Sequence, residues 1–303
     1  MKCPLCQCDK YFIIAKFKFN NLKNLWKRKY NFDPFYNQNF SEDLLKVKCI
    51  NCDIIYFSPS FFGETDFYEK VSDNPGYYEE NKWEFDVALD AISKYQPKSL
   101  LEIGSGDGCF LEKVNKAIDY CEGVDINQIA IEKAKKKGLN VSSVDLKDIK
   151  RKFDIIVSFE VFEHVENINK FLKDSINLIT NNGILLLAVP NPDGYLKEMD
   201  MNLLDLPPHH NLSYSKKTFD FISNTHQLKI IEYKQEPLRY IHYQGYLNSL
   251  INYDKILLGN SITSALLAKI RKIIFRIFSI ITFIEARKNI IGQTHLVAFQ
   301  KLS

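Results

Sequence analysis

Leu100-Leu101-Glu102-Ile103-Gly104-Ser105-Gly106-Asp107-Gly108 decides the fold. An apolar run closed by an acid leads into three alternating glycines, and a helical pattern follows from Cys109 to Ala117. A strand that turns through glycines into a helix is how a Rossmann-type sheet builds a small-molecule site. Glycine lets the backbone turn tightly and come close to a ligand. The spacing is G-x-G-x-G, whereas the dinucleotide fingerprint is G-x-G-x-x-G, and Cys109 stands where its last glycine would fall. Glu102 would repel a pyrophosphate but suits a ligand carrying an ammonium or sulfonium group.

Outward from this stretch the chain alternates strand and helix. Strands are expected over 99–103, 121–125, 140–144, 153–159, 184–189, 229–233 and 295–299, with helices at 127–137, 169–179 and from about 215. An apolar helical face is expected ahead of them from Trp83 to Ile92, stopped by Pro97. This pattern predicts an α/β, Rossmann-like, doubly wound seven-stranded sheet whose ligands lie beyond the carboxyl ends of the strands. A helical insertion of about 240–290 precedes the last strand. In it Lys269, Lys272, Arg276 and Ser279 form a polar stripe, while Ile270, Ile273, Ile274, Ile277, Phe278 and Ile281 form a wide apolar face. That face is expected to be buried against its own domain, a second subunit in a homodimer, or a membrane surface touched through 269–284.

Polar residues gather at the strand ends. Asp125 ends the second strand, 21 residues after Gly104, where an acid can accept from ribose hydroxyls or simply cap the next helix. With Ile126 beside it, and with Asp145 and Leu146 after the third strand, it would border a nucleoside; Asp145 can equally serve as a cap. Glu160, Glu163 and His164 follow the fourth strand. His209 and His210 stand in a Pro207-Pro208-His209-His210 loop after the fifth, where an imidazole could take a proton from an acceptor hydroxyl or merely grip the loop. His164 is the second choice of base.

Two C-x-x-C pairs, Cys3/Cys6 and Cys49/Cys52, account for four of the seven cysteines. Paired knuckles of this kind argue for a structural zinc ion with a closed tetrahedral thiolate shell. The 42 residues between them exceed a compact ribbon, and Cys8 is a spare thiol. A zinc-binding domain is expected over 1–75 and the cofactor-binding domain over 76–303.

Composition is that of an ordinary globular chain, 46% hydrophobic and 25% charged, with a net charge of +3. Basic runs at 10–29 and 255–288 would attract an anionic acceptor or membrane surface. They carry no RNA-binding motif, so nucleic acid is not the expected partner. The N-terminus shows no secretory pattern and no apolar run reaches membrane-spanning length, which places the expected location in the cytoplasm, at most at the inner face of the membrane.

With these residues laid out, the chain resembles the class I S-adenosylmethionine (SAM) dependent methyltransferases. The resemblance is carried by Leu101 to Gly108, Asp125, F-D-I-I-V-S-F-E-V-F-E-H-V at 153–165 and N-N-G-I-L-L-L-A-V-P-N at 181–191. More narrowly it is similar to bacterial methyltransferases of glycan and natural-product clusters, through the cysteine knuckles, Y-Y-E-E-N-K-W-E-F at 77–85 and P-P-H-H at 207–210. The resemblance implies that Glu102, Gly104, Ser105, Gly106, Asp125, Ile126, Asp145, Leu146 and Glu160 hold SAM, covered by Tyr77, Tyr78 and Lys82. It further implies O-methylation of a sugar or a related capsule or envelope precursor, small or lipid-linked. A sugar C-methyltransferase and an RNA methyltransferase gripping through the basic zinc module are the alternatives.

Overall fold

The computed structural model describes residues 1–36, 43–72, 77, 79–195, 203–251 and 278–302. Within them the chain forms two compact units. The first comprises Met1–Pro190, Leu203–Lys234 and Leu296–Ser303; the second comprises Asn191–Asn202 and Gln235–His295.

The first unit opens with strand β1 (Tyr11–Phe17), helix α1 (Phe19–Tyr30), β2 (Leu44–Cys49), β3 (Ile55–Ser58) and α2 (Thr65–Ser72). Helix α3 (Trp83–Tyr95) then precedes the alternating series: β4 (Ser99–Ile103), α4 (Cys109–Val114), β5 (Tyr120–Val124), α5 (Gln128–Lys136), β6 (Val141–Ser142), β7 (Phe153–Phe159), α6 (Ile168–Leu178) and β8 (Ile179–Pro190). A two-residue strand β9 (Leu212–Ser213), α7 (Lys216–Thr225), β10 (Leu228–Pro237), α8 (Tyr240–Ile251) and β11 (Ile291–Lys301) complete the order. The seven-stranded sheet runs β10-β11-β8-β7-β4-β5-β6, as the α/β reading expected. Pairing is parallel across β8-β7-β4-β5-β6.

Alternate side chains of these buried strands enter two different cores, the period-two consequence of strand geometry. Leu100, Ile155, Val157, Leu186 and Ala188 meet α3, α4 and α5 on one face. Leu101, Ile103, Ile156, Leu185 and Leu187 meet α6 and α7 on the other. Cys3, Leu5, Val47, Cys49, Cys52, Ile54 and Tyr56 belong to that second core too. The cysteine-bearing segment is thus packed into the first unit. It forms a four-stranded sheet, β1-β2-β3-β9, whose last strand comes from beyond the Pro207–His210 loop.

A third core holds that loop in place. Trp26 of α1 is fully buried, with Phe67 edge-on at 5.4 Å between ring centroids, and its indole N–H donates to the Pro207 carbonyl at 3.0 Å. Gly63 N–H donates to the Pro208 carbonyl, and Phe61 N–H to the Asn211 side-chain oxygen.

In the second unit the expected faces of the insertion are corrected. Residues 278–289 are helical, while 252–277, with Lys269, Lys272, Arg276 and most of the isoleucines, lie outside the described residues. Ser279, expected on the polar stripe, is buried and shares a hydrogen bond with the Tyr240 hydroxyl at 2.8 Å. Phe278 and Ile281, expected in the buried face, are exposed. The tyrosine hydroxyls of α8 explain the reversal, because Tyr240 and Tyr243 need hydroxyl partners and select the Ser279–Thr282 side of the helix. Among the described residues no helix is long and apolar enough to cross a membrane.

Trp26→Ala should lower the unfolding free energy by about 3–5 kcal/mol, the usual cost of emptying a buried indole site. Trp26→Phe, which keeps a ring but orphans the Pro207 carbonyl, should cost about 1–2 kcal/mol. Urea unfolding followed by circular dichroism measures both.

Candidate active site

The glycine loop is shaped by close approach. Gly104, Gly106 and Gly108 all have positive φ. A Cβ on Gly104 would lie 2.2 Å from Val161 Cγ2, so only glycine lets the loop pass the segment after β7. Asp125 clamps the loop to the tip of β5, one carboxylate oxygen accepting from Gly106 N–H at 2.7 Å and the other from Asn127 N–H at 2.8 Å. The cap of α5 is Asn127, not Asp125, and its side chain accepts from Ala130 N–H. Burial raises the Asp125 pKa against these bonds.

Glu102 is buried, and one of its carboxylate oxygens has no hydrogen-bond partner among the described residues. Burial first, then the Asp125 charge, pushes its pKa well above the usual carboxylate range. An orphaned acid under a glycine turn is a seat for a cationic group, so these residues fit SAM, whose amino group and sulfonium are both positive. Ser105 is buried with its hydroxyl likewise unpartnered, and Ile126 stands exposed beside Asp125. Asp145 lies farther out: it caps a 3-10 turn through Lys147 N–H and pairs with Lys147 and Lys170, with its side chain 43% exposed. Leu146 is half-buried against the core beneath.

The segment after β7 links this loop to the histidines. Glu160 takes a positive φ and donates its N–H to the Ala188 carbonyl, Val161 abuts Gly104, and a tight turn over Phe162–His164 follows. His164 and the consecutive pair His209 and His210, 45 residues on, converge so that one ring nitrogen of each lies within 4.8 Å of the others. Each ring is held from behind. His164 Nδ1–H donates to the His209 carbonyl, and His209 Nδ1–H donates to the Leu204 carbonyl at 2.9 Å. His210 Nδ1 lies 3.2 Å from Asp205 Oδ1. Tyr77 extends from the Y-Y segment to place its hydroxyl 3.2 Å from His209 Nε2. Lys82 lies 3.9 Å from Glu84 at the start of α3, and Tyr78 is outside the described residues.

Beneath the imidazoles lies Glu163, fully buried, its Oε1 3.7 Å from Nε2 of both His164 and His210 and neither oxygen hydrogen-bonded among the described residues. Burial lifts its pKa to about 7, against the pull of His210, and lowers that of His164 to about 3. Burial also drives His209 well below the ordinary imidazole value. Asp205, Trp26 and Tyr68, whose ring walls His164 at 5.5 Å, had drawn no notice in the sequence. The Asp205-x-x-x-x-His210 spacing across two prolines was the available signal.

At the other end of the unit, Cys3 Sγ lies 3.5 Å from Cys52 Sγ and Cys6 Sγ lies 3.5 Å from Cys49 Sγ, all four within 4.8 Å of one another. Four thiolates about 2.3 Å from one zinc ion stand about 3.8 Å apart, so the cluster has nearly that geometry already.

The chain matches the methyltransferase-domain family over residues 81–233 and belongs to it. That span carries the class I, SAM-binding α/β domain described above. Among relatives, it is 35% identical over 100 residues to a ubiquinone biosynthesis O-methyltransferase of Pelagibacter ubique, covering 30% of this chain and 42% of that protein. It is 28% identical over 225 residues to the mitochondrial ubiquinone biosynthesis O-methyltransferase of Saccharomyces cerevisiae, covering 67% and 69%. A SAM-dependent methyltransferase from Archaeoglobus fulgidus superposes with a TM-score of 0.46 at 18% identity, covering 72% of this chain and 94% of that one. The chain spans about half the length of the curated relatives it matches.

A buried acid whose folded pKa is raised holds its proton more tightly folded than unfolded, so its contribution to stability falls as pH rises from about 4.5 to about 7. Glu163→Gln should remove that fall, stabilising the protein at pH 8 relative to the wild type by on the order of 3 kcal/mol in chelator-treated samples. Urea unfolding at pH 5 and pH 8 reads the difference.

Proposed function

We propose that the protein transfers a methyl group from SAM to a hydroxyl oxygen of its acceptor, and that the histidine cluster is where the acceptor loses its proton. The observation that carries this is the convergence of His164, His209 and His210 over Glu163, joined to the cofactor loop through the contact of Val161 with Gly104. SAM supplies a methyl already activated on its sulfonium. The chain's own work is alignment and proton removal. Glu102 would receive the cofactor's ammonium group, Asp125 its ribose hydroxyls, and Ile126 the flank of its adenine.

Among the three imidazoles, His210 is the one backed by a carboxylate, Asp205, which orients the ring and stabilises its charged form. His164 and His209 are backed only by carbonyls and are held neutral by burial. His209, through Tyr77, would position the covering segment. For the acceptor we propose a hydroxyl of a sugar or related envelope precursor, small or lipid-linked, following the resemblance carried by the knuckles and the P-P-H-H loop. The names of the relatives favour a second reading, a quinone precursor hydroxyl. The work would fall in the cytoplasm or at the inner face of the membrane.

The four-thiol cluster is proposed to hold a structural zinc ion. Its pairing across Cys3–Cys52 and Cys6–Cys49 ties the N-terminus to β2 and the turn after it, and its closed shell leaves no position for substrate. Purified chain should carry one tightly held zinc ion by plasma mass spectrometry. Cys3→Ser/Cys52→Ser should release it and lower the thermal midpoint, and an unchanged zinc content would remove this assignment.

His210→Ala should cut kcat by about 100-fold or more while leaving SAM affinity unchanged in calorimetry. Methyl transfer from labelled SAM, assayed separately with sugar nucleotides, lipid-linked glycans, quinone precursors and RNA, tests the acceptor. Label entering RNA alone would overturn the proposed chemistry.

A further inference from the structure

We infer that His164, His209 and His210, with Glu163 beneath them, form a binding site for a divalent transition-metal ion of the zinc class, separate from the four-cysteine cluster. The inference rests on the proposed function only for its place beside the acceptor; metal binding itself is independent of that reading.

The first argument is the way the rings are held. An imidazole that binds a metal through one nitrogen characteristically donates its other N–H to a carbonyl or carboxylate, which fixes its tautomer and aim. All three rings satisfy this: His164 Nδ1–H faces the His209 carbonyl, His209 Nδ1–H the Leu204 carbonyl, and His210 Nδ1 the Asp205 carboxylate. That leaves Nε2 of His164 and of His210 each 3.7 Å from Glu163 Oε1, and Nε2 of His209 facing the Tyr77 hydroxyl at 3.2 Å. Three ring nitrogens that come within 4.8 Å of one another are a natural meeting point for an electropositive ion.

The second argument is Glu163. It is completely buried, neither oxygen has a hydrogen-bond donor among the described residues, and Oε1 lies 3.7 Å from two of the ring nitrogens. An uncompensated carboxylate at the floor of a histidine cluster supplies the anionic ligand that a three-imidazole site lacks. Tetrahedral ligands 2.0–2.1 Å from zinc stand about 3.3 Å apart. One ring nitrogen of each histidine lies within 4.8 Å of the others, close to that spacing.

The donor set selects the ion. Imidazole nitrogens with one carboxylate suit Zn²⁺, Co²⁺, Ni²⁺ or Fe²⁺, whereas Mg²⁺ and Ca²⁺ prefer oxygen alone. Held here, such an ion would act as a Lewis acid on the acceptor oxygen and lower its pKa, so that the hydroxyl gives up its proton more readily.

The test uses the full chain with its cysteine cluster zinc-loaded, free of SAM and acceptor, titrated with Co²⁺ in a calorimeter. One further equivalent should bind, and excess Mg²⁺ should not displace it. Asp205→Ala should weaken binding by about 10–100-fold, the usual cost of removing a carboxylate behind a ligating histidine. His164→Ala and Glu163→Gln should each weaken it at least as much. X-ray absorption at the cobalt edge of the wild-type complex should show nitrogen and oxygen neighbours with imidazole scattering and no sulfur, a readout that survives even if a variant fails to fold. No further equivalent, a sulfur shell, or binding indifferent to every one of these substitutions would overturn the site. SAM affinity, measured separately without Co²⁺, keeps that failure distinct from failure of the methyltransferase reading.

Discussion

The contact between Gly104 and Val161 is the constraint on which the site depends. The backbone of the glycine loop passes so near Val161 that a single added carbon would lie 2.2 Å from its methyl group. Gly104 also takes a φ of +78°, which side chains with a Cβ seldom adopt. At that point the glycine loop and the segment that leads to His164 are in direct contact. From His164 the chain of contacts continues through the His209 carbonyl to the Pro207–His210 loop, and from Pro207 to Trp26 in α1.

This linkage ties the N-terminal segment to the histidine loop. Its sheet takes β9 as its edge, so the two residues after Asn211 are fixed by pairing to β3. Asn211 is fixed on both sides: its side chain accepts from Phe61, its carbonyl from Phe57, and its own N–H donates to the Glu163 carbonyl. The histidine loop therefore spans two anchors, one in the cysteine-bearing module and one after β7. Such over-determination is what keeps buried imidazoles and a buried acid within reach of one another despite the cost of desolvating them.

Much of this was legible in the sequence, for physical reasons. The parallel core strands are buried on both faces, so Leu100 to Ile103 and Ile155 to Phe159 read as near-continuous apolar runs, broken only by Glu102 and Ser158. Glu102 and Asp125 announced themselves by chain position at strand ends. The strand and helices at 11–30 and 65–72 are hard to read because their apolar residues alternate irregularly with polar and charged ones, and their burial depends on partners far along the chain. Tertiary context likewise decided Asp145, which caps a turn and pairs with lysines, and Ser279, turned inward by the Tyr240 hydroxyl. The partnership of Asp205 with His210 could be seen only once the double proline had been folded into a tight loop.

The proposed chemistry requires the glycine loop to hold SAM rather than a dinucleotide. Calorimetric titration of the full chain with SAM and, separately, with NAD tests this most directly. Saturable one-to-one binding of SAM, abolished by Gly104→Val and absent for NAD, is the expected result. Binding of NAD, or SAM binding indifferent to Gly104→Val, would contradict it.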